Sequence, residues 1–408
     1  MKNPQLLRGA GPSLTGSSAT LRARLWIGLL ALLPALLAAQ PAHAAWVSRR
    51  VDGIMGTRIF VELWADDPAK GEQDIDAVMA EMRHIDDSMS TFKPTSEVSM
   101  VNREATKHPV VITPELFGLL QTALEYSRIT HGAFDITYAS VGYMYDFHAH
   151  ERPSAAQIKA ALPAIGYQHV VLDPKRHTVY FDHPGVRIDL GGIAKGYSVD
   201  RGIAILQARG ITNALVNAGG DSRVIGDRRG RPWMVGIQHP DHPDEVVTRF
   251  PLVNQAFSTS GDYERYFMDH GVRYHHIINP RTGDSGRAVR SATIIAPTAT
   301  RTDGLSKTAF VLGATAALKI YNSLPDVSAI IIQDDGKMVY TDNLQPGNLP
   351  PSAPPQTGEN APASSGAPST GSRSEDAALI PPQGPAVPPP GSATVVSGAA
   401  AATINPGH

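Results

Sequence analysis

The sequence predicts an α+β protein, built of mixed α/β layers rather than a doubly wound parallel sheet. Three observations carry that expectation. Short apolar runs and longer stretches with three-to-four-residue apolar spacing interleave along the chain. Several of the short runs read as hairpin pairs. The glycine pairs that follow two of the strands have neither the G-x-G-x-x-G nor the G-x-x-x-x-G-K-S/T spacing of the common nucleotide folds.

Composition sets the limits. The chain has 408 residues, 42% hydrophobic and 18% charged, enough apolar material for a large core. A net charge of −2 leaves no basic excess to hold a nucleic acid backbone. With no cysteine there can be no disulfide, thiolate nucleophile or thiolate metal site. Residues 1–44 read as a signal peptide: Lys2, Arg8, Arg22 and Arg24, then the apolar run Leu25 to Ala39, then Ala42-His43-Ala44 as a small-x-small cleavage site. The run is shorter than the roughly 20 residues a membrane anchor wants. Residues 343–408 are rich in Pro, Ala, Gly and Ser and read as a disordered tail. That leaves 45–342 as the folded domain.

Within that domain Arg58–Trp64 is expected as a strand, and 71–89 as a helix with Ile75, Val78, Met79, Met82, Ile85 and Met89 on its buried face. Ser96-Glu97-Val98-Ser99 and Asn102 read as a polar loop opening a second element. Pro114 to Tyr126 reads as a helix with proline in its first turn. Val186–Ile188 should be a strand, and a helix should run from Val199 to Leu206. Further strands are expected at 214–217, 233–237, 292–296 and 328–332, and helices at 302–313 and 315–323.

The stretch Asp189-Leu190-Gly191-Gly192-Ile193-Ala194-Lys195-Gly196 joins the strand at 186–188 to a helix. A strand ending in a carboxylate, two glycines and a helix opening let a backbone approach a phosphate, because first-turn N–H groups face the anion. A tight turn that needs positive φ accounts for such glycines equally well. Gly219-Gly220-Asp221 repeats the pairing of glycines with an acid. Acids beside a phosphate call for a cation, and Mg2+ suits carboxylate, carbonyl and phosphate oxygens. His239 and His242 share H-x-x-H spacing, but Pro240 and Pro243 place them on a surface loop; His148 and His150 read likewise as solvated.

Taken together the motifs occur in a familiar order: Met55-Gly56-Thr57, Ser90-Thr91-Phe92, Ala133-Phe134-Asp135, Asp189–Tyr197, Asn217–Asp221, Ser258–Tyr263, His276–Gly283 and Asp303–Gly313. That order resembles the ApbE family of FAD:protein FMN transferases, over about residues 50–335. The resemblance implies a flavin transferase fold with FAD in a cleft between two subdomains. It implies FAD as substrate, Mg2+ at the diphosphate, and transfer of FMN to a threonine hydroxyl with release of AMP. Met55, Phe92, Ala133, Phe134, Asp135, Asp189, Lys195 and Ile277 match flavin- or adenine-contacting positions. The Gly192 carbonyl and Asp303 match metal positions, and His276 matches the residue that deprotonates the acceptor threonine. Asp303 is therefore counted with His276 as catalytic. On its own residues, His276 reads first as a structural histidine at a strand end, and Lys195 as a partner of a phosphate or of Asp189.

Two departures stand out. Phe92 replaces the family's usual tyrosine, keeping a ring face without the hydroxyl. Lys307 occupies the position, four residues after Asp303, where the family commonly has a metal-binding threonine. Residues four apart share a helix face, so Lys307 should approach Asp303. Ser306 and Thr308 flank it, and Thr308 could supply the missing oxygen after a small shift. The expectation is that Mg2+ binds, but weakly. The acceptor implied by the resemblance carries Asp-x-x-Ser/Thr-Gly-Ala-Thr and belongs to another protein, such as a membrane-bound redox subunit. This chain has only Leu312-Gly313-Ala314-Thr315, so self-modification is not expected. The setting is the periplasm, with or without attachment to the inner membrane. The alternatives are an FAD pyrophosphatase, in which water replaces the acceptor, and a non-catalytic FAD-binding protein.

Overall fold

The computed structural model describes residues 43–345. The signal peptide and the tail expected from sequence lie, but for 43–44 and 343–345, outside the described residues. The chain opens with β1 (Ala45–Ile54) and β2 (Thr57–Ala65), followed by α1 (Pro68–Met89), α2 (Glu97–Glu104), β3 (Val110–Val111) and α3 (Pro114–Ile129). A short α4 (Ala139–Gly142), α5 (Ala155–Ala161), β4 (Val170–Asp173) and β5 (Thr178–Phe181) lead to α6 (Ala194–Ala208). Then come β6 (Ala214–Ala218), β7 (Asp221–Ile225), β8 (Trp233–Gln238), β9 (Val246–Leu252), β10 (Ala256–Gly261), β11 (Tyr266–Asp269), β12 (Val272–His275) and β13 (Ser291–Ala296). Three helices, α7 (Ala299–Ser306), α8 (Thr308–Leu312) and α9 (Ala314–Asn322), precede β14 (Ser328–Ile332) and β15 (Met338–Tyr340).

The main sheet has eight strands in the order β1-β2-β6-β7-β10-β13-β14-β15. Every neighbouring pair in it is antiparallel. Strand alternation then sorts side chains to two faces. One face carries Val61, Leu63, Ala214 and Val216 against the apolar stripe Ile75, Val78, Met79 and Met82 of α1 and against Val199, Ile203 and Leu206 of α6. The other carries Leu215, Val224, Phe257 and Ile295 under Trp233, Val235 and Leu252 of the β8–β9 hairpin. Farther along, Ala292, Ile294, Ala329 and Ile331 pack on Leu305, Ala309, Phe310 and Tyr321 of α7, α8 and α9. The layers are α+β, as the interleaved patterns predict.

Residues 66–213 intervene between β2 and β6, and much of that segment builds a second core. There α2, α3 and the small sheet β3-β5-β4 bury Val98, Leu116, Leu120, Phe134, Val179, Phe181, Ile188 and Leu190. Met55, at the tip of the β1–β2 hairpin, packs on both cores.

Four expectations need correcting. Val186–Ile188 is not in a ladder. Asn102 takes the place of a neighbouring strand, donating Nδ2 to the Ile188 carbonyl at 2.9 Å and accepting the Ile188 N–H at 2.8 Å. The polar stretch that includes Asn102 is therefore a helix, α2, with Ser96 as its N-cap accepting from Ser99. The helix expected from Val199 opens five residues earlier, at Ala194. The single helix expected over 302–313 is two, α7 and α8, with Lys307 at the break.

Candidate functional site

Asp189, Gly191 and Gly192 form the turn into α6 and fix what surrounds it. The Asp189 carboxylate accepts from Thr91 Oγ1 at 2.8 Å, from Tyr138 Oη at 3.1 Å and from the Gly191 N–H at 2.7 Å. Burial first, then the Asp189 charge, hold the Tyr138 phenol well above its usual range. The Thr91 bond ties the Ser90–Phe92 turn to this site, and Phe92 beside it stands 73% exposed. An apolar ring that far out of the core has no packing role in this fold.

α6 then runs against α7 at very close range. A Cβ on Gly196 would lie 2.2 Å from the Ala299 carbonyl oxygen, so only glycine permits the approach. The closeness lets the Gly196 N–H reach Asp303 Oδ2 at 3.0 Å. Asp200, one turn on, caps α7 from outside. It accepts the N–H groups of Ala299 at 3.0 Å and Thr300 at 2.8 Å, and pairs with Arg223 at 2.8 Å. The segment that opens α6 and the segment that carries Asp303 are thus locked together.

Two lysines converge on that junction. Lys195 Nζ lies 2.6 Å from Asp221 Oδ2 and 3.6 Å from Asp303 Oδ2. Its partners are these two acids, not Asp189. Asp221 comes from the β6–β7 hairpin, where Gly219, at φ +60°, occupies the first position of a two-residue turn between Ala218 and Asp221. The second glycine pair is a hairpin turn that delivers an acid to the site. Lys307 Nζ contacts Asp303 Oδ1, the Asp303 carbonyl at 2.9 Å and the Gly192 carbonyl at 3.4 Å.

The charges sort themselves accordingly. Burial favours neutral Asp303, but Lys195 and Lys307 outweigh it and hold the carboxyl below its usual range. Burial and the neighbouring Asp303 charge raise Asp221, against the pull of Lys195. Burial alone would lower Lys195; Asp221 and Asp303 reverse that and raise it. Glu264, which the motifs do not mark, is pushed up to about 7, first by burial, with Asp221 adding and Lys195 opposing. Its signal was only its place beside Asp262-Tyr263 in a quoted motif.

His276 follows β12, and its Nδ1 is buried without a hydrogen-bond partner. Burial first, then Arg265, His275, Lys307 and Lys195, hold the imidazole well below its usual range. It is neutral at neutral pH and sits within the field of both lysines. Its neighbour His275 is part of the core, donating Nε2–H to the Gly286 carbonyl at 2.7 Å and accepting the Ile277 N–H on Nδ1 at 3.3 Å.

Other candidates are tied into the surrounding fold. Asp135 is buried and accepts from Thr137 N and Oγ1 and from Tyr167 N at 2.6–2.8 Å; burial raises it. Ile277 is a buried core side chain whose N–H and carbonyl are both used, by His275 and Gly286. Ala133 is buried, and Phe134, buried with its edge on Tyr126, lies where a Cβ on Gly192 would touch it at 3.3 Å. Ser306 Oγ bonds Ser260 Oγ at 2.8 Å and the Asp303 carbonyl at 2.9 Å. Thr308 Oγ1 is buried without a hydrogen-bond partner, near the Tyr321 phenol. Among the described residues, no three His, Asp or Glu side chains form a metal cluster.

Mg2+ does not fit these donors as they stand. The oxygens it would take, the Asp303 carboxylate and the Gly192 carbonyl, face the Lys307 ammonium. A hard dication needs about six oxygen ligands and no cation among them.

Comparison with known proteins agrees with the geometry. Residues 55–331 match the model of the ApbE family. A protein of Klebsiella pneumoniae named FAD:protein FMN transferase is 30% identical over 292 residues, covering 71% of this chain and 90% of its own length. One of the same name from Vibrio cholerae is 31% identical, covering 66% and 81%. Among solved structures, the ApbE protein of Thermotoga maritima superposes with a TM-score of 0.67 at 34% identity, over 73% of this chain and 98% of the other. The flavin transferase ApbE of Vibrio cholerae gives 0.64 at 28%, with the same coverage. With the acid–glycine turn, the paired lysines and the unpartnered histidine all inside the matched span, this chain belongs to the ApbE family.

Proposed function

We propose that this chain is an FAD:protein FMN transferase, acting on an acceptor protein outside the cytoplasm. The observation that carries the reading is the neutral His276, its Nδ1 unpartnered, in the field of Lys195 and Lys307 at the junction of α6 and α7. The two ammonium groups, at the start of α6 and at the α7–α8 break, are suited to the diphosphate of FAD. Phe92, exposed beside the Asp189 turn, offers a face for a flat ring.

The step is a phosphoryl transfer. The acceptor threonine oxygen attacks the FMN phosphorus, a phosphoester bond forms, and the anhydride bond to AMP breaks with AMP taking the electron pair. The hydroxyl proton passes to His276. The low basicity of His276 in the free protein suits this timing. Bound diphosphate brings negative charge beside it and raises its proton affinity only when substrate is present. Lys195 and Lys307 oppose the charge that builds on the phosphate oxygens and on AMP.

Export to the periplasm is part of the proposal, and the basic, apolar and Ala-x-Ala order of residues 1–44 supports it. The acceptor is proposed to be a membrane-bound redox subunit carrying the threonine motif. The mature protein, given FAD and a peptide containing that motif, should add the mass of FMN to the peptide and release AMP, and His276→Ala should do neither. AMP without modified peptide would identify a pyrophosphatase instead. Intact FAD under all conditions would refute enzymatic turnover.

A further inference from the structure

The resemblance assigns a divalent metal to oxygens that this chain has given to an ammonium. Lys307 lies four residues after Asp303, at the break between α7 and α8, and its side chain is only 17% exposed. Its Nζ meets Asp303 Oδ1, the Asp303 carbonyl at 2.9 Å and the Gly192 carbonyl at 3.4 Å, three oxygens from two segments. The other Asp303 oxygen is also used, by the Gly196 N–H at 3.0 Å and by Lys195 at 3.6 Å. Asp303 itself is 0% exposed, so its carboxylate cannot swing out to meet an incoming ion. Of the two flanking hydroxyls, Ser306 Oγ is bonded to Ser260 and to the Asp303 carbonyl, and Thr308 Oγ1 is buried near the Tyr321 phenol.

We propose that the Lys307 ammonium is the resident cation of this site, so that the chain handles the FAD diphosphate without a divalent metal. The proposal rests on the transferase reading for its substrate, but not for its geometry. An ammonium is a compact charge with three donors. All three face oxygens, Asp303 Oδ1 and the carbonyls of Asp303 and Gly192, which holds the group at a fixed point; the 3.4 Å Gly192 contact, the weakest of them, is the one a phosphate oxygen would displace. It provides one positive charge where a metal would provide two. Lys195, raised and held charged by Asp221 and Asp303, stands beside it and supplies a second. The pair of lysines therefore matches the charge of a dication while dividing it between the first turn of α6 and the α7–α8 break.

Two measurements test this, one of them independent of catalysis. In the first, Mn2+ alone is titrated into the purified mature protein and followed by the electron paramagnetic resonance signal of the free ion. Wild type should leave the signal unchanged, whereas Lys307→Thr should quench it with about one ion per chain. Quenching by wild type, or a well-folded Lys307→Thr that is equally indifferent to Mn2+, would overturn the proposal. In the second, AMP release from FAD in the presence of the acceptor peptide is measured in EDTA and in excess Mg2+. Wild type should change by less than about twofold between the two, and Lys307→Thr should become dependent on Mg2+ by tenfold or more. A wild-type enzyme that EDTA silences and Mg2+ restores refutes the lysine proposal and leaves the transferase reading intact. No AMP from wild type in either buffer refutes the transferase reading, and the Mn2+ titration then decides the cation question alone. If Lys307→Thr does not fold, the two wild-type arms still decide it.

Discussion

Replacing His275 with glutamine tests how the core beneath the base responds to acid. His275 is 1% exposed, and burial lowers its pKa from 6.5 to about 4. Both ring nitrogens are engaged as a neutral imidazole: Nε2–H donates to Gly286 and Nδ1 accepts from Ile277. In the unfolded chain the ring takes a proton below about pH 6.5, and in the folded chain only below about 4. The unfolded state therefore binds more protons between those values, and stability falls as the pH drops through that window. At ~1.4 kcal/mol per pH unit, the full gap amounts to about 3 kcal/mol, of which about 2 kcal/mol is lost by pH 5. The assay is urea unfolding of wild type and His275→Gln at pH 7.5 and pH 5. Glutamine is less stable at pH 7.5, having lost the ring's shape and one of its two bonds, but it does not titrate. The difference between the two proteins should shrink by about 2 kcal/mol on going to pH 5. Other groups titrate in both proteins and cancel from that difference. A gap that stays constant across the two pH values would refute a neutral buried imidazole at 275.

Two further predictions concern packing and substrate. Gly196→Ala places a methyl group 2.2 Å from the Ala299 carbonyl and 2.8 Å from Asp303 Cβ. It should cost about 3 kcal/mol in urea unfolding, at the upper end of ordinary overpacking, and an unchanged midpoint would show that α6 and α7 can separate freely. Phe92→Ala should leave stability unaltered because the ring is 73% exposed, yet weaken FAD binding about fivefold in a fluorescence titration. Equal affinity would remove Phe92 from the flavin site.

What the sequence made legible was mostly what local pattern determines. The α1 stripe from Ile75 to Met89 faces the core as its spacing requires, and the alternation at 214–218 sends Val216 and Leu215 to opposite faces of the sheet. Val186–Ile188 looked like a strand for a good local reason, since the chain there is apolar and extended in character. Whether such a run joins a ladder depends on a neighbour, and here the neighbour is the side chain of Asn102, 86 residues away. The partners of Lys195 were hidden for the same reason. Asp189 is six residues off and invites pairing, but helix α6 carries the lysine toward Asp221 and Asp303. Asp135 and Ile277 stand at motif positions, and only the folded chain shows their groups spent on Thr137, Tyr167, His275 and Gly286. Lys307 was the opposite case. Four-residue helix spacing alone brought it to Asp303, and a helix break at that residue did not undo the contact.

The order of the main sheet also bears on how the chain finds its fold. Seven joints connect its eight strands, and six of them join strands that are near in sequence. The exception is β2–β6, which pairs Ile59–Leu63 with Ala214–Ala218 across the whole inserted segment. Closure entropy grows only with the logarithm of loop length, so the insertion costs the finished sheet little. Speed is another matter, because a ladder between distant segments must wait for the chain to bring them together. Refolding should therefore pass through a stage in which the β1–β2 and β6–β7 hairpins exist apart, with the amides along Val61 and Val216 the last of the sheet to resist hydrogen exchange. Simultaneous protection across all seven joints would show that the inserted segment folds too fast to delay the seam.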